Sequence, residues 1–126
     1  MKNKLTQYRV IRDYESPYPA PILFQRSERV VTGSEFTDDP DWKNWLWCTG
    51  SRGQQAWVPR QFLEIQGTSA IFRRDYNALE LSMYTGEVIL VGEQINGFGM
   101  AEKVGGEKGW VPMRNLLQFS ADEQPG

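Results

Sequence analysis

Histidine is absent from this 126-residue chain, and cysteine occurs once, at Cys48. Without histidine, the chain cannot build the Cys-His or Ser-His pairs of nucleophilic catalysis, and it lacks the commonest metal ligand of proteins. The sequence pattern also places no pair of carboxylates across a predictable cleft. We therefore expect a protein that is not an enzyme and that uses no metal and no cofactor.

A single cysteine excludes an internal disulfide and suits a reducing compartment. The chain has no uninterrupted apolar run of membrane-spanning length, and its start, MKNKLTQYRVIRDYE, has basic residues with no apolar core of a secretion signal after them. The sequence therefore predicts a cytoplasmic protein that neither spans a membrane nor is secreted.

A large excess of charge is missing as well, since the formal net charge is -2. Residues 1–66 carry 9 basic and 8 acidic side chains, and residues 67–126 carry 5 and 8, which gives +1 and -3 for the two halves. Proteins that bind nucleic acid usually concentrate basic residues on one surface. Neither half does so, and nucleic acid is not an expected partner.

What the chain does contain is an internal repeat. Three anchors recur in order: Arg12-Asp13-Tyr14 at an offset of 62 residues, Ser27-Glu28 at 59 and Trp57-Val58-Pro59 at 53. The falling offset places two insertions in the first copy, three residues between Glu15 and Pro21 and six near residues 34–43. Insertions are tolerated in surface loops and not within hydrogen-bonded strands, so each copy is predicted to be a domain with variable loops.

The segments between these loops have the composition of β-strands, being short and rich in β-branched and aromatic residues. They are YRVI, RVVTG, WLWCT, QAWVP, EVILVG and GMAEKV. GSRGQ and VGGEKG predict hairpins, no helical period competes, and the stretch after each Val-Pro is predicted to be a turn at most. The expected fold is all-β: two tandem five-stranded barrels, residues 1–66 and 67–126, joined by a very short linker at residues 66–69.

Each copy resembles an SH3 domain through five motifs in the order of that family. The family pattern runs A-L-Y-D-Y, E-L-S-F, a G-D or G-E turn, W-W-x-A and G-Y-I-P-S-N-Y-V. It is matched by residues 10–14, 21–24, 27–28, 45–48 and 56–63, and again by 72–76, 80–83, 86–87, 98–101 and 109–116. Arg-Asp-Tyr combined with Trp-Val-Pro is similar to the small tandem SH3-domain proteins of bacteria. The resemblance implies a non-catalytic module that binds proteins or extended peptides, including proline-containing ones.

In the SH3 family, a shallow aromatic groove binds polyproline-type peptides, because flat rings cover an already extended chain at little entropic cost. By resemblance, the groove of the first copy consists of Tyr14, Trp45, Trp57, Pro59 and Phe62. The second copy keeps Tyr76, Trp110 and Pro112, but has Phe98 and Asn115 where the family has tryptophan and tyrosine, which implies a weaker groove. Arg12 and Arg74 replace the first tyrosine of A-L-Y-D-Y, and an acidic or extended non-proline ligand competes with a proline-rich one.

Alternation along strands predicts which side chains are buried. The residues expected inside are Leu46, Cys48, Val58 and Val111, and those expected outside are Trp45, Trp47, Trp57 and Trp110. A purely structural role stays open for several groove residues. Tyr14, Tyr76, Pro59 and Pro112 could simply close the barrels, and Trp57 and Trp110 could form an interface between them.

Two loops of the first copy stand apart. SPYPAP has prolines at 17, 19 and 21, a spacing typical of a stiffened loop and not of P-x-x-P. TDDPD places Asp38, Asp39 and Asp41 beside Trp42, without the regular ligand spacing and closing Glu of an EF-hand calcium loop. A solvated acidic loop is the ordinary interpretation, although next to a groove it could favour a basic residue on a partner.

Three functions remain open on the sequence alone. The leading hypothesis is peptide or protein binding by the groove of the first barrel. The second is a structural role in which aromatic faces pack barrels together or drive self-association. The third is targeting to cell-wall peptide or glycan, against which the missing secretion signal argues.

Overall fold

The computed structural model describes residues 4–119. Their fold is all-β, as predicted from the strand-like segments. The strands are β1 (Thr6–Val10), β2 (Leu23–Phe24), β3 (Arg29–Glu35), β4 (Trp45–Thr49), β5 (Gln55–Pro59), β6 (Leu63–Gln66), β7 (Ser69–Phe72), β8 (Tyr76–Asn77), β9 (Val88–Ile95), β10 (Phe98–Glu102), β11 (Lys108–Pro112) and β12 (Leu116–Gln118). Single 3₁₀ turns follow the two Val-Pro pairs, at Arg60–Phe62 and Met113–Asn115. Nothing helical in this part of the chain is long enough to cross a bilayer.

The strands belong to two compact units that are interleaved along the chain. We call residues 20–79 the continuous unit, and residues 4–19 together with 80–119 the split unit. The chain leaves the split unit after Pro19 and returns to it at Glu80. The compact units therefore differ from the expected contiguous ranges, 1–66 and 67–126.

The continuous unit contains a five-stranded antiparallel sheet in the order β5-β4-β3-β7-β6, and the short pair β2-β8. β6 and β7 are the two arms of a hairpin in which Gln66 lies opposite Ser69. Gly67 adopts a φ of 66°, which a two-residue hairpin turn requires and which glycine allows at little cost. The residues expected to link two barrels thus form a turn inside one unit, because two short strands flank them closely enough to pair.

The split unit repeats this sheet with β1 in the place of β7, in the order β11-β10-β9-β1-β12. The registers are equivalent, because Arg9 lies opposite Val88 and Ile71 lies opposite Arg29. Arg9 and Ile71 are separated by the repeat offset of 62, and Arg29 and Val88 by the offset of 59. On its other edge, β1 pairs with β12 as β7 pairs with β6. The first strand of each repeat therefore completes the unit that holds the rest of the other repeat.

Each unit has its own apolar core. In the split unit it comprises Val10, Met83, Ile89, Val91, Ala101, Val111 and Leu116. In the continuous unit, Phe24 stacks on Phe72 with ring centroids 4.7 Å apart. The predicted burial of Leu46, Cys48, Val58 and Val111 is confirmed. Each fully buried side chain of this size contributes roughly 1.5–3 kcal/mol relative to exposure, so the exchanged strands are strongly held.

Candidate ligand-binding surface

The structure divides the groove that was predicted for the first copy. Four of its residues, Trp45, Trp57, Pro59 and Phe62, lie in the continuous unit, whereas Tyr14 lies in the split unit. The position of Tyr14 is taken by Tyr76, whose ring centroid is 5.5 Å from that of Phe62. The hydroxyl of Tyr76 donates a 2.9 Å hydrogen bond to the carbonyl oxygen of Trp57. Strand exchange therefore builds this aromatic group from both repeats.

Most of this group is buried. Trp45 is 6% exposed, Phe62 and Tyr76 are each 5% exposed, and Pro59 is fully buried. The expectation that Trp45 faces outward was wrong. Alternation applies to a sheet with one open face, but Trp45 lies opposite Pro59 at the end of the β4–β5 ladder. There the 3₁₀ turn begins, and its Arg60 N–H donates to the carbonyl of Asn44, so this end of the sheet is not an open face.

A different set of rings is partly exposed, and we call it the aromatic row: Phe36, Trp42, Trp47 and Trp57. Trp47 and Trp57 lie directly opposite on β4 and β5, with ring centroids 5.1 Å apart at 65°. The Phe36 ring meets the Trp57 ring edge-on, with centroids 5.2 Å apart, and it meets the Trp42 ring at a tilt, with centroids 6.2 Å apart. Edge-to-face pairs at these separations are favourable beyond their area burial, which fixes the rings in place.

Phe36 and Trp42 were not among the predicted site residues. They lie at the two ends of the six-residue insertion of the first copy, where the register of β3 against β4 shifts between Thr32 and Glu35. The N–H of Phe36 donates to the carbonyl of Trp45, which returns the chain to the sheet edge. Two aromatic residues flanking a polar insertion were the available clue in the sequence.

An acidic loop borders the aromatic row. Glu35, Asp38, Asp39 and Asp41 stand against one basic residue, Lys43, between residues 34 and 44. Asp39 also shapes the loop, since its carboxylate accepts the N–H of Asp41 at 3.0 Å and its carbonyl accepts the N–H of Trp42 at 3.1 Å. Glu35 pairs with Arg60 at 3.2 Å. The row therefore combines apolar ring surface with net negative charge.

The equivalent residues of the split unit are more completely buried. Phe98, Trp110, Pro112 and Asn115 are all in the interior, and Trp110 is only 2% exposed, so its predicted outward position was wrong. The reason is local: the N–H of Leu81 donates to the carbonyl of Trp110, and residue 80 forms a parallel bridge to it, so this strand has a further neighbour. These residues of the weaker groove expected in the second copy are thus buried within the split unit.

Tyr14 acts as an internal hydrogen-bond donor in the split unit. Its hydroxyl donates a 2.5 Å hydrogen bond to the Oε1 atom of Glu80. Burial raises the pKa of Glu80 above its ordinary value, while hydrogen bonds from Tyr14 and Ser16 act in the opposite direction. Burial also raises the pKa of Tyr14, so the phenol stays protonated and able to donate.

Arg12 and Arg74, which replace the first tyrosine of the family motif, are both exposed but make different contacts. The guanidinium of Arg74 lies 4.3 Å from the centroid of the Phe62 ring, within the range of a cation–π contact. The carbonyl of Arg12 instead accepts a 3.2 Å hydrogen bond from the side chain of Asn115, which also donates to the carbonyl of Asp13. Asn115 thus links the second 3₁₀ turn to the segment that follows β1.

The class of protein defined by these observations is an all-β protein with two five-stranded antiparallel sheets and a partly exposed aromatic row. Comparison with known families is more specific: the variant SH3 domain family matches residues 7–66. SH3 domains are generally non-catalytic modules that bind proteins or peptides. The matched segment includes β1 of the split unit as well as β2 to β6 of the continuous unit. No curated protein matches the chain.

Proposed function

We propose that the protein binds a partner protein or an extended peptide on the aromatic row of the continuous unit. The observation that carries this proposal is the contiguous set of partly exposed rings, Trp47, Trp57, Phe36 and Trp42, joined by two edge-to-face contacts and one tilted contact. Rigid aromatic side chains supply large contact area at little entropic cost, and tryptophans dominate binding energies at protein interfaces.

The charge beside the row favours a partner with a lysine or arginine next to its apolar contact. Asp38 and Asp41 are exposed, and Asp39 is half-buried because it shapes the loop. Opposite charge steers association and sets the register of a bound chain, so it contributes to specificity more than to affinity. Of the predicted site residues, Trp57, Asp39 and Asp41 belong to this surface, and Trp45 and Pro59 are buried two positions away from Trp47 and Trp57 along the same strand pair.

Substitution of Trp57 by alanine tests the proposal. Arrays of proline-rich, basic and acidic peptides would first supply a probe, and titration of its Kd by tryptophan fluorescence would follow. Loss of a central tryptophan costs roughly 2 kcal/mol or more, which weakens binding by about 30-fold. The hydrogen bond from Tyr76 reaches the backbone of Trp57, so the variant keeps it. Replacing Tyr84, which is 47% exposed in the split unit, provides the matched control.

Asp38→Asn combined with Asp41→Asn tests the charge separately. This variant is expected to lose affinity for basic peptides and to keep affinity for neutral ones, and the loss should disappear in high salt. A folded Trp57→Ala protein that binds each peptide as tightly as the wild type would refute the proposal. If instead no peptide binds and Trp57→Ala abolishes a concentration-dependent dimer, self-association is the function of the row.

A further inference from the structure

β1 could pair with either of two equivalent sets of strands. It lies between β9 and β12, and without strand exchange it would lie between β3 and β6, where β7 is found. Because the registers of the two arrangements match, the strand pairing itself favours neither strongly. The choice between an exchanged and an unexchanged fold must come from the segments that connect the units.

These connecting segments differ between the repeats. Tyr14 forms a bridge with Met83, and Phe24 pairs with Tyr76. Tyr14 and Tyr76 are equivalent in the repeat, and so are Phe24 and Met83, so the two connecting segments begin and end at equivalent positions. The first segment, residues 15–23, has nine residues and includes SPYPAP, whereas the second, residues 77–82, has six and no proline. An unexchanged first repeat would place Tyr14 opposite Phe24, and residues 15–23 would have to reverse direction.

The prolines oppose such a reversal. With Pro17 at the second position of a type I turn, Tyr18 would need a backbone conformation near the α region. That region is disfavoured for a residue before proline, and Pro19 follows Tyr18. The same restriction applies to Ala20 between Pro19 and Pro21. A type II turn would require positive φ at Tyr18 or Ala20, which a residue with a Cβ disfavours. Tight type I and type II turns with Pro17 or Pro19 at the second position are therefore disfavoured, and the chain bends at Pro17 and Ala20 without a hydrogen-bonded turn at either residue.

Two N–H groups and one carbonyl group of this segment are hydrogen-bonded in the structure. The N–H of Ser16 donates to the hydroxyl of Ser82 at 3.0 Å, and the N–H of Tyr18 to the hydroxyl of Ser16 at 3.0 Å. The carbonyl of Tyr18 accepts the N–H of Glu80 at 3.0 Å.

We infer that SPYPAP is the device that keeps the first repeat open and so directs β1 into the split unit. The prolines destabilise the hairpin that β1 would need in order to pair within residues 1–66. Without that hairpin, the first strand of each repeat pairs with strands of the other repeat. The consequence reaches the binding surface, because the Tyr76 that supports Trp57 comes from the second repeat only in the exchanged fold.

Engineered disulfides in the full-length chain report which arrangement is present. Gln7 lies opposite Leu90, and the equivalent of Leu90 in the first repeat is Val31, which lies opposite Ser69. The pair Q7C and L90C therefore reports the exchanged fold, and Q7C with V31C reports the unexchanged fold. Native Cys48 does not interfere, since it is fully buried and burial raises its pKa to about 12.

Each pair is compared in the wild-type sequence and with Pro17, Pro19 and Pro21 changed to glycine. The wild type should form the 7–90 bond and not the 7–31 bond. The measured quantity, called the 7–31 share, is the fraction of the Q7C and V31C protein that carries an intramolecular 7–31 bond. In the glycine variant this share should rise about fivefold or more, a change that corresponds to a small part of the folding free energy. The control is Pro40→Gly, in an exposed loop away from the connecting segments, which should leave the share unchanged.

Two results would overturn the inference: a 7–31 share that is the same in the glycine variant and the control, or a 7–31 bond that already predominates in the wild type. Bonds between two chains run as dimers on a non-reducing gel and are counted separately. If the triple variant does not fold, Pro19→Ala decides the question, because Pro19 is exposed and its replacement frees Tyr18 alone. An unchanged 7–31 share in that variant also overturns the inference.

Discussion

Single residues at equivalent positions of the two repeats make different contacts. Tyr76 donates to the backbone of Trp57, whereas Tyr14 donates to the carboxyl group of Glu80. Where Phe62 lies under the guanidinium of Arg74, Asn115 instead donates to two backbone carbonyls. At these two pairs of positions, aromatic contacts are found in the continuous unit and side-chain hydrogen bonds to carboxyl or carbonyl groups in the split unit.

Glu80→Gln is expected to stabilise the protein at neutral pH. Burial raises the pKa of Glu80 in the folded state above its unfolded value, so its contribution to stability is full below the unfolded pKa and is lost as pH rises through the folded pKa. Glutamine is neutral throughout and can still accept from Tyr14. The Tm of the variant should exceed that of the wild type at pH 7, and the difference should shrink in acid. Glu107→Gln, at an exposed glutamate, serves as the control; equal pH profiles for all three proteins would contradict the prediction.

Burial of small core residues was predictable from the sequence, but the exposure of aromatic residues was not. Val58 and Cys48 obey strand alternation because they lie on the face of the sheet that is covered by the core of the continuous unit. The outer face differs from place to place, and the closing turn that borders Trp45 is set by the fold as a whole. Trp42 was missed because its position depends on how a six-residue insertion returns to the sheet.

At the scale of strands, the hairpins and their ends follow the local sequence closely. The β4–β5 and β10–β11 hairpins form at GSRGQ and VGGEKG as predicted. Gly67 was interpreted as part of a linker because glycine followed by threonine suits both a linker and a hairpin turn. Only the pairing of β6 with β7 distinguishes the two, and that pairing depends on strand exchange.

Gly99 in β10 is expected to tolerate no side chain. A Cβ there would lie 2.5 Å from the Sδ atom of Met113 and 2.6 Å from the Cγ1 atom of Val91. Met113 could move, but Val91 is buried in the core, so Gly99→Ala should cost about 1–3 kcal/mol, measured by denaturant unfolding. Gly33→Ala in β3 is the matched control, because its Cβ would meet nothing closer than 3.4 Å. Equal losses in both variants would argue against this account.

For the molecule as a whole, the strand exchange could not have been predicted from the repeat. The motifs of the two copies occur in the same order, and exchange leaves the pairing register of the first strand unchanged, so the sequence pattern is the same with and without it. The local difference that bears on exchange is the proline-rich connection. The folding of chain fragments therefore tests which division gives the folding domains: residues 1–66 and 67–126, or the interleaved units.

Residues 20–79 should fold alone, and residues 1–66 should not fold as a monomer. The first fragment keeps the complete sheet β5-β4-β3-β7-β6 and the stack of Phe24 on Phe72. The second lacks β7, and its own β1 could fill that place only if SPYPAP reversed direction. Both have near 60 residues, a size of marginal stability, so circular dichroism and sedimentation should be measured in the cold. A monomeric, cooperatively folded 1–66 beside an unfolded 20–79 would show that the repeats, and not the interleaved units, are the folding domains.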